Sequence, residues 1–466
     1  MMKDMTTGNP TKLIFLFAMP MLIGNLFQQF YTMIDAVIVG KFVSVDALAA
    51  VGATNSVNFF MISLIIGLMS GISVVVAQYF GFKDFDRLKD VIATATYAVV
   101  FSAIILTVAG VLLAKPLLIL LRTPANILDD STIFLTTLFI GILPMSLYNG
   151  MAAILRALGN SITPLIFLIL SSLMNIALDF LFVVYMDMGV RGAAIATVLS
   201  QTAAAIAVIY YAYRHVPFMR IERAKFKLST PLLKEMVRIG LPSGLQGSFI
   251  SIGNMALQSL INGFGSSVVA AYTAASRIDS LTYQPGIAFG AASSMFAGQN
   301  IGAGKIDRVR EGFWSGIKVV TAISIGITIL VQLFAREFLL LFVDSSETEV
   351  INIGVSYLLI VSLFYVVVGV LFVVRETLRG TGDAMVPLAM GIFELVSRLV
   401  IGFVLSLYIG YIGLWWATPV AWITATMLGV WRYKSGAWQK KAVIRRKITI
   451  LVKKRQRSSY FLFFNK

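Results

Sequence analysis

The sequence predicts an all-α polytopic membrane protein, with twelve transmembrane helices in two pseudo-symmetric bundles of six. Three observations predict it. Of 466 residues, 58% are hydrophobic and 13% are charged, too little charge to cover a soluble surface of this size. Apolar stretches of about 20 residues or more recur along the chain, each long enough to cross ~30 Å of hydrocarbon. The apolar pattern of residues near 13–215 returns near 234–434, about 222 residues later. Backbone groups in lipid must bond within their own segment, which favours helices. The alternating ten-residue segments of a β-barrel are absent.

Four matches set the repeat register. Ala18-Met19-Pro20 answers Gly240-Leu241-Pro242, and Val45-Asp46-Ala47 answers Ser267-Val268-Val269. Ala77-Gln78-Tyr79-Phe80-Gly81, then Asp86-Arg87, answers Gly298-Gln299-Asn300-Ile301-Gly302, then Asp307-Arg308. Leu155-Arg156-Ala157-Leu158-Gly159-Asn160, with Pro164, answers Leu378-Arg379-Gly380-Thr381-Gly382-Asp383, with Pro387. Two membrane lobes around a shared cavity are the layout of a secondary transporter.

The first lobe, 1–213, holds spans near 13–40, 48–80, 92–121, 132–156, 162–186 and 191–213. A linker at 214–232 follows. The second lobe, 233–434, holds spans near 233–263, 269–300, 312–343, 352–377, 385–408 and 411–433. A basic tail closes the chain at 435–466. The first apolar run is too long for a signal-peptide core, so it is expected to stay.

Loop charge orients the spans. Lys83, Arg87 and Lys89 follow span two, Arg214, Arg220, Arg223, Lys225 and Lys227 follow span six, and Lys305, Arg308 and Arg310 follow span eight. The opposite loops are acidic: Asp129-Asp130, Asp187, and Asp344 with Glu347 and Glu349. The bias places both termini and the linker in the cytoplasm. Six spans per lobe make the repeats parallel, related by an axis along the membrane normal. The net charge of +16 is therefore read as topology, and no nucleic-acid partner is expected. The tail, with Lys440-Lys441, Arg445-Arg446-Lys447 and Lys453-Lys454-Arg455, is read as an interfacial helix or loose segment on anionic membrane lipids. In the linker, Ser229-Thr230-Pro231 reads as a cap and first helical turn.

Prolines mark bends. Pro20 and Pro242 hold equivalent places in spans one and seven, Pro144 interrupts span four and Pro285 span eight. The paired placement of Pro20 and Pro242 suggests a bend used in alternating access.

Charge inside a span costs a few kcal/mol on insertion scales, so each such residue calls for a reason. Asp35 lies late in span one. Asn175 and Asp179 lie four apart in span five and share a helix face. Two carboxylates with a nearby amide can hold Na⁺ through oxygen, or take a proton. The plain alternative leaves Asp35 at the outer interface. At the corresponding places the second lobe has Leu257 and Gly402, so a cation site belongs to the first lobe. The second lobe carries Arg277, Asp279, Arg375, Glu376, Glu394 and Arg398. Glu394 and Arg398, four apart, either pair with each other or leave Glu394 facing a cationic substrate. Gln28, Tyr31 and Met33 on span one are further cavity candidates. Arg156 and Arg379 read as anchors at the inner surface.

Several classes are excluded. There are no cysteines and one histidine, His215, so Cys-ligated metal and disulfides are out. No Gly-x-Ser-x-Gly elbow and no Walker motif occur. No cofactor and no enzymatic activity are expected. Twenty methionines and 33 phenylalanines suit an adaptable pocket and equally suit ordinary packing.

The chain resembles the multidrug and toxic compound extrusion (MATE) family. The resemblance covers about 13–434. It rests on the two six-span bundles, Pro20 and Pro242, Asp35, Leu155-Arg156-Ala157-Leu158-Gly159-Asn160, Asn175 with Asp179, and Leu378-Arg379-Gly380-Thr381-Gly382-Asp383. It implies a V-shaped monomer in the bacterial inner membrane that exports cationic or amphipathic drugs in exchange for Na⁺ or H⁺. It also implies a cation site at Asp35, Asn175, Asp179 and Thr197, with Asn149 as the span-four amide, and Asp35 and Asp179 as ligands if the ion is Na⁺. The family branch with second-lobe ion sites uses acids in spans seven and ten. Here span seven has none, and span ten has none before Arg375-Glu376. A lipid-linked oligosaccharide flippase of the same superfamily is the alternative, and a membrane-embedded enzyme a distant one.

Overall fold

The computed structural model describes residues 2–222 and 226–444. Every expected span is a helix or a bent pair. The first lobe contains α1 (Pro10–Phe42), α2 (Val45–Gly81), α3 (Phe85–Leu120), α4 (Ala125–Ile140) with α5 (Ile142–Ala157), α6 (Ile162–Asp179) and α7 (Gly189–His215). The second contains α8 (Thr230–Asn262), α9 (Ser266–Thr282) with α10 (Gln284–Gly302), α11 (Ile306–Leu339), α12 (Thr348–Ser362) with α13 (Tyr365–Gly380), α14 (Met385–Ile409) and α15 (Tyr411–Lys434). Among the described residues, seven single helices and two bent pairs are long and apolar enough to span a membrane. The other three positions, α8, α9–α10 and α15, fall outside this set. Nearly all of α10 is buried, including Ser293, Ser294, Gln299 and Asn300.

The helices start up to seven residues before the apolar runs. In α1 and α3 a side chain caps the charged first turn: Asp84 accepts the Arg87 amide at 3.2 Å, and Asn9 accepts that of Lys12 at 3.1 Å. α8 begins at Thr230 with Pro231 in its first turn, as expected, but Ser229 makes no side-chain cap. Its backbone amide instead donates to Thr94 Oγ1.

Two of the four prolines sit at breaks, as expected, and two do not. Pro20 and Pro242 lie inside unbroken helices. Span four breaks at Gly141 with a 46° bend, and Pro144 sits in the first turn of α5, where its missing amide costs nothing. Pro285 has the same role at the start of α10. Span ten bends by 50° between α12 and α13 with no proline at all. Span five ends in a π-helical stretch, Phe180–Tyr185, directly after Asp179. Such a widened turn is a frequent companion of functional sites.

The lobes meet from mid-helix to the end that bears the basic loops. Ser63 of α2 bonds Ser248 of α8 at 3.1 Å. Toward the basic end α2 and α10 cross with backbone contact: a Cβ on Gly81 would stand 1.9 Å from the Gln299 carbonyl, and one on Gly302 2.1 Å from that of Gln78. One turn from the Ser63–Ser248 contact in the other direction, on the same faces, Phe59 is 50% and Ile252 48% exposed. The lobes therefore part toward the acidic loops.

Both ends of the described chain tuck into the closed side. Met5 is fully buried. Its amide donates to Gln299 Oε1 at 2.9 Å, and its carbonyl accepts from Asn300 and Arg308. The Val443 amide donates to Gln78 Oε1 at 2.9 Å. The tail's first residues are thus docked, contrary to a loose tail: Trp438 is buried and stacks on Tyr433. The tail beyond Ile444, and Arg223 and Lys225 of the linker, lie outside the described residues.

Candidate functional site

The site forms where α1, α6 and α7 pack together. Asp35 sits on α1, about 10 Å short of its end at Phe42 by helical rise. On α6, Asn175 and Asp179 are one turn apart, and both point inward: Asn175 is 2% exposed and Asp179 fully buried. Asp35 and Asp179 lie close enough to interact directly. Tyr31, one turn before Asp35 on α1, is within electrostatic reach of both carboxyls.

Hydrogen bonding gives the site its character. The Asn175 amide nitrogen donates to Thr197 Oγ1 at 3.5 Å, and the Thr197 hydroxyl donates to the Ala193 carbonyl at 3.1 Å. Four buried oxygens then have no donor: Asp35 Oδ1, Asn175 Oδ1, Asp179 Oδ1 and Asp179 Oδ2. Buried polar atoms are almost always bonded, and buried charges paired. No basic side chain stands beside either carboxyl among the described residues. A cluster of hard oxygen acceptors with excess negative charge fits a small cation or a proton.

Other expected residues fall elsewhere. Asn149 on α5 donates its amide to the Met145 carbonyl of its own helix at 2.9 Å and joins none of the bonds around Asp35 and Asp179. Gln28 is exposed one turn before Tyr31. Met33, 37% exposed, is on the other side of α1 from Tyr31 and Asp35.

Glu394 and Arg398 do not pair with each other. Glu394 forms a buried salt bridge with Arg375 of α13, and Arg398 donates to Asn254 Oδ1 of α8. Both partners come from neighbouring helices, which reach these inward side chains more directly than one turn of α14 can. Arg379 is not a surface anchor: its side chain is 11% exposed, paired with Glu376 and donating to Gln246 Oε1 at 2.5 Å. The second lobe also holds a cluster that no spacing announced. Buried Asp279 accepts from Tyr283 at 2.9 Å, Tyr357 at 2.5 Å and Tyr365. Tyr283 is one turn from Asp279, but Tyr357 and Tyr365 are 78 and 86 residues away in sequence, so no local pattern joins the whole cluster.

Comparison with known proteins agrees with this fold. The MatE family model matches the chain twice, at residues 20–181 and 242–404. The chain is 30% identical to "Probable multidrug resistance protein YoeA" of Bacillus subtilis (strain 168), over 92% of this chain and 94% of that protein. It is 31% identical to "Probable multidrug resistance protein YpnP" of the same organism, over 94% and 97%. A solved structure described as the outward-facing conformation of a multidrug resistance MATE family transporter superposes with a TM-score of 0.88 at 25% identity, covering 94% of this chain and 98% of that one. The twofold match, the two helical lobes and the full-length relatives place this multi-pass membrane protein in the multidrug and toxic compound extrusion family.

Proposed function

We propose that the protein is a secondary active multidrug efflux antiporter. It exports amphipathic and cationic compounds across the bacterial inner membrane, in exchange for Na⁺ or H⁺ bound between Asp35 and Asp179. The observation that carries this reading is the set of four donor-less buried oxygens with no basic partner. Two adjacent carboxylates in a bilayer interior are sustained only if a cation or proton joins them. The relatives' names point to drug resistance.

In this reading the basic loops face the cytoplasm, with both termini, and the described state is open to the outside. A cation entering from the acidic end reaches Asp35 and Asp179 and draws α1 and α6 together. The bound drug is released outward, and the lobes then rock about the α2–α8 and α1–α10 contacts. Asn175 and Thr197 complete the oxygen set. Asn149 enters it only by turning its amide away from Met145. Gln28, Tyr31 and Met33 are the proposed drug contacts on α1. Glu394 attracts a cationic drug only if Arg375 releases it. The protein acts as a monomer, with its basic tail on anionic lipids. The flippase alternative wants a basic first lobe and cavity, whereas the donor-less cluster at Asp35 and Asp179 is acidic and Arg375 and Arg379 are each held by a glutamate.

The test is dye efflux from vesicles under an imposed Na⁺ gradient and, separately, a pH gradient. One of the two should drive efflux. Asp35→Asn and Asp179→Asn should each abolish it while leaving the protein in the membrane. Full efflux in both variants overturns the assignment.

A further inference from the structure

The repeat register that sets Pro164 opposite Pro387 and Asp179 opposite Gly402 also sets Asn175 opposite Arg398. At one and the same place, the first lobe has a cluster of acceptors and the second a guanidinium. Arg398 is 4% exposed. Among the described residues its side chain bonds the neutral Asn254, and its Nε has no partner. Asp35's counterpart, Leu257, is buried and apolar. A Cβ at Gly402 would already touch Ala417, Leu260 and Leu414.

The second lobe's interior charges balance without any added ion. Arg375 pairs with Glu394, and Arg379 with Glu376. Asp383 pairs with Arg432 and Arg277 of α9 is exposed, so among the described buried charges Asp279 and Arg398 remain. They are linked through the tyrosines: Tyr272, Tyr283 and Tyr357 lie within electrostatic reach of the Arg398 guanidinium, and Tyr283 and Tyr357 also donate to Asp279. Arg375 is the other charged group near Arg398, and Glu394 already neutralises it. Burying a charge without a counter-charge is costly, and among the described buried groups Asp279 is the remaining acid that can offset Arg398. In the first lobe no basic side chain among the described residues stands beside Asp35 or Asp179.

We propose that Arg398 is a tethered cation, standing in the second lobe where the transported cation stands in the first, and that it confines ion coupling to the first lobe. This inference rests on the antiporter reading above. It explains why one lobe of a symmetric pair exchanges an ion and the other does not. The second lobe carries its cation covalently and is neutral in every state of the cycle. Removing the guanidinium leaves the Asp279 cluster one charge short, and a small cation or proton from solution takes its place.

The experiment is equilibrium binding of radioactive Na⁺, and proton uptake in weakly buffered solution, by the purified full-length protein. Asp35→Asn/Asp179→Asn should bind no cation. Adding Arg398→Gln to that background should restore one per chain, and adding Arg398→Lys should not. A folded triple variant that binds none overturns this proposal and leaves the antiporter reading standing. A cation retained by Asp35→Asn/Asp179→Asn itself overturns both. Where Arg398→Gln does not fold, thermal melting of Arg398→Gln/Asp279→Asn decides: recovery toward wild type supports the charge balance, and additive losses refute it.

Discussion

The chain contains no cysteine, so a designed pair would be its only thiols. Ala77 of α2 and Gly298 of α10 face each other where the lobes close: a Cβ at Gly298 would stand 3.0 Å from the Ala77 Cβ. Disulfides span about 3.5 to 4.5 Å between Cβ atoms, so the helices need to give by only about 0.5 Å. Ala77→Cys/Gly298→Cys should therefore oxidise readily. Once formed, the bond holds the two Cα atoms within about 7 Å, and the basic end cannot open. A drug entering from that side is then shut out. Dye efflux should fall to the fraction of molecules still reduced and return with a reductant. Each single-cysteine variant should be insensitive to oxidant. Complete crosslinking with undiminished efflux would refute the idea that opening passes through the α2–α10 crossing. Failure to crosslink would contradict the closed packing itself.

Two further changes probe the same framework. Gly302→Val puts a Cβ 2.1 Å from the Gln78 carbonyl. Overpacking of this kind costs about 1 to 3 kcal/mol, enough to shift a two-state equilibrium about 5- to 150-fold toward the state with this crossing open. A cysteine at Met5, fully buried in the closed state, should then react faster with a polar maleimide, and an unchanged rate would count against the gate. Tyr365→Phe removes one of the three hydroxyls on buried Asp279. It should cost about 1 to 3 kcal/mol of stability, seen as a lower melting temperature, with ion coupling unaffected because the cluster is neutral. A change in the ion dependence of efflux would contradict that neutrality.

The spans were legible because lipid admits few polar residues, and the repeat made each lobe check the other. Span edges were less legible. Phe85 opens α3 seven residues before the apolar run, because a capped, charged first turn continues the helix outside the hydrocarbon. Asp35, Asn175 and Asp179 stood out because intramembrane acids are rare, and helical spacing already put two of them on one face. Thr197 came from the family resemblance alone, since a threonine in an apolar helix usually bonds its own backbone, as Thr197 also does to Ala193. The second-lobe pairs were misread for a physical reason. Spacing within α14 suggested Glu394 with Arg398, but the nearest partner of a buried side chain is on the next helix, which one sequence does not position. The docking of Met5 and Val443 left no signal, because one buried apolar side chain and a backbone bond at each make no pattern along the sequence.

The central claim is that the first lobe binds one exchangeable cation between Asp35 and Asp179. Its most direct test is a count of Na⁺ bound and protons taken up per chain, for the wild type and for Asp35→Asn/Asp179→Asn side by side. The account predicts one cation or proton for the wild type and none for the variant. Equal uptake by the two proteins, both folded, would contradict it.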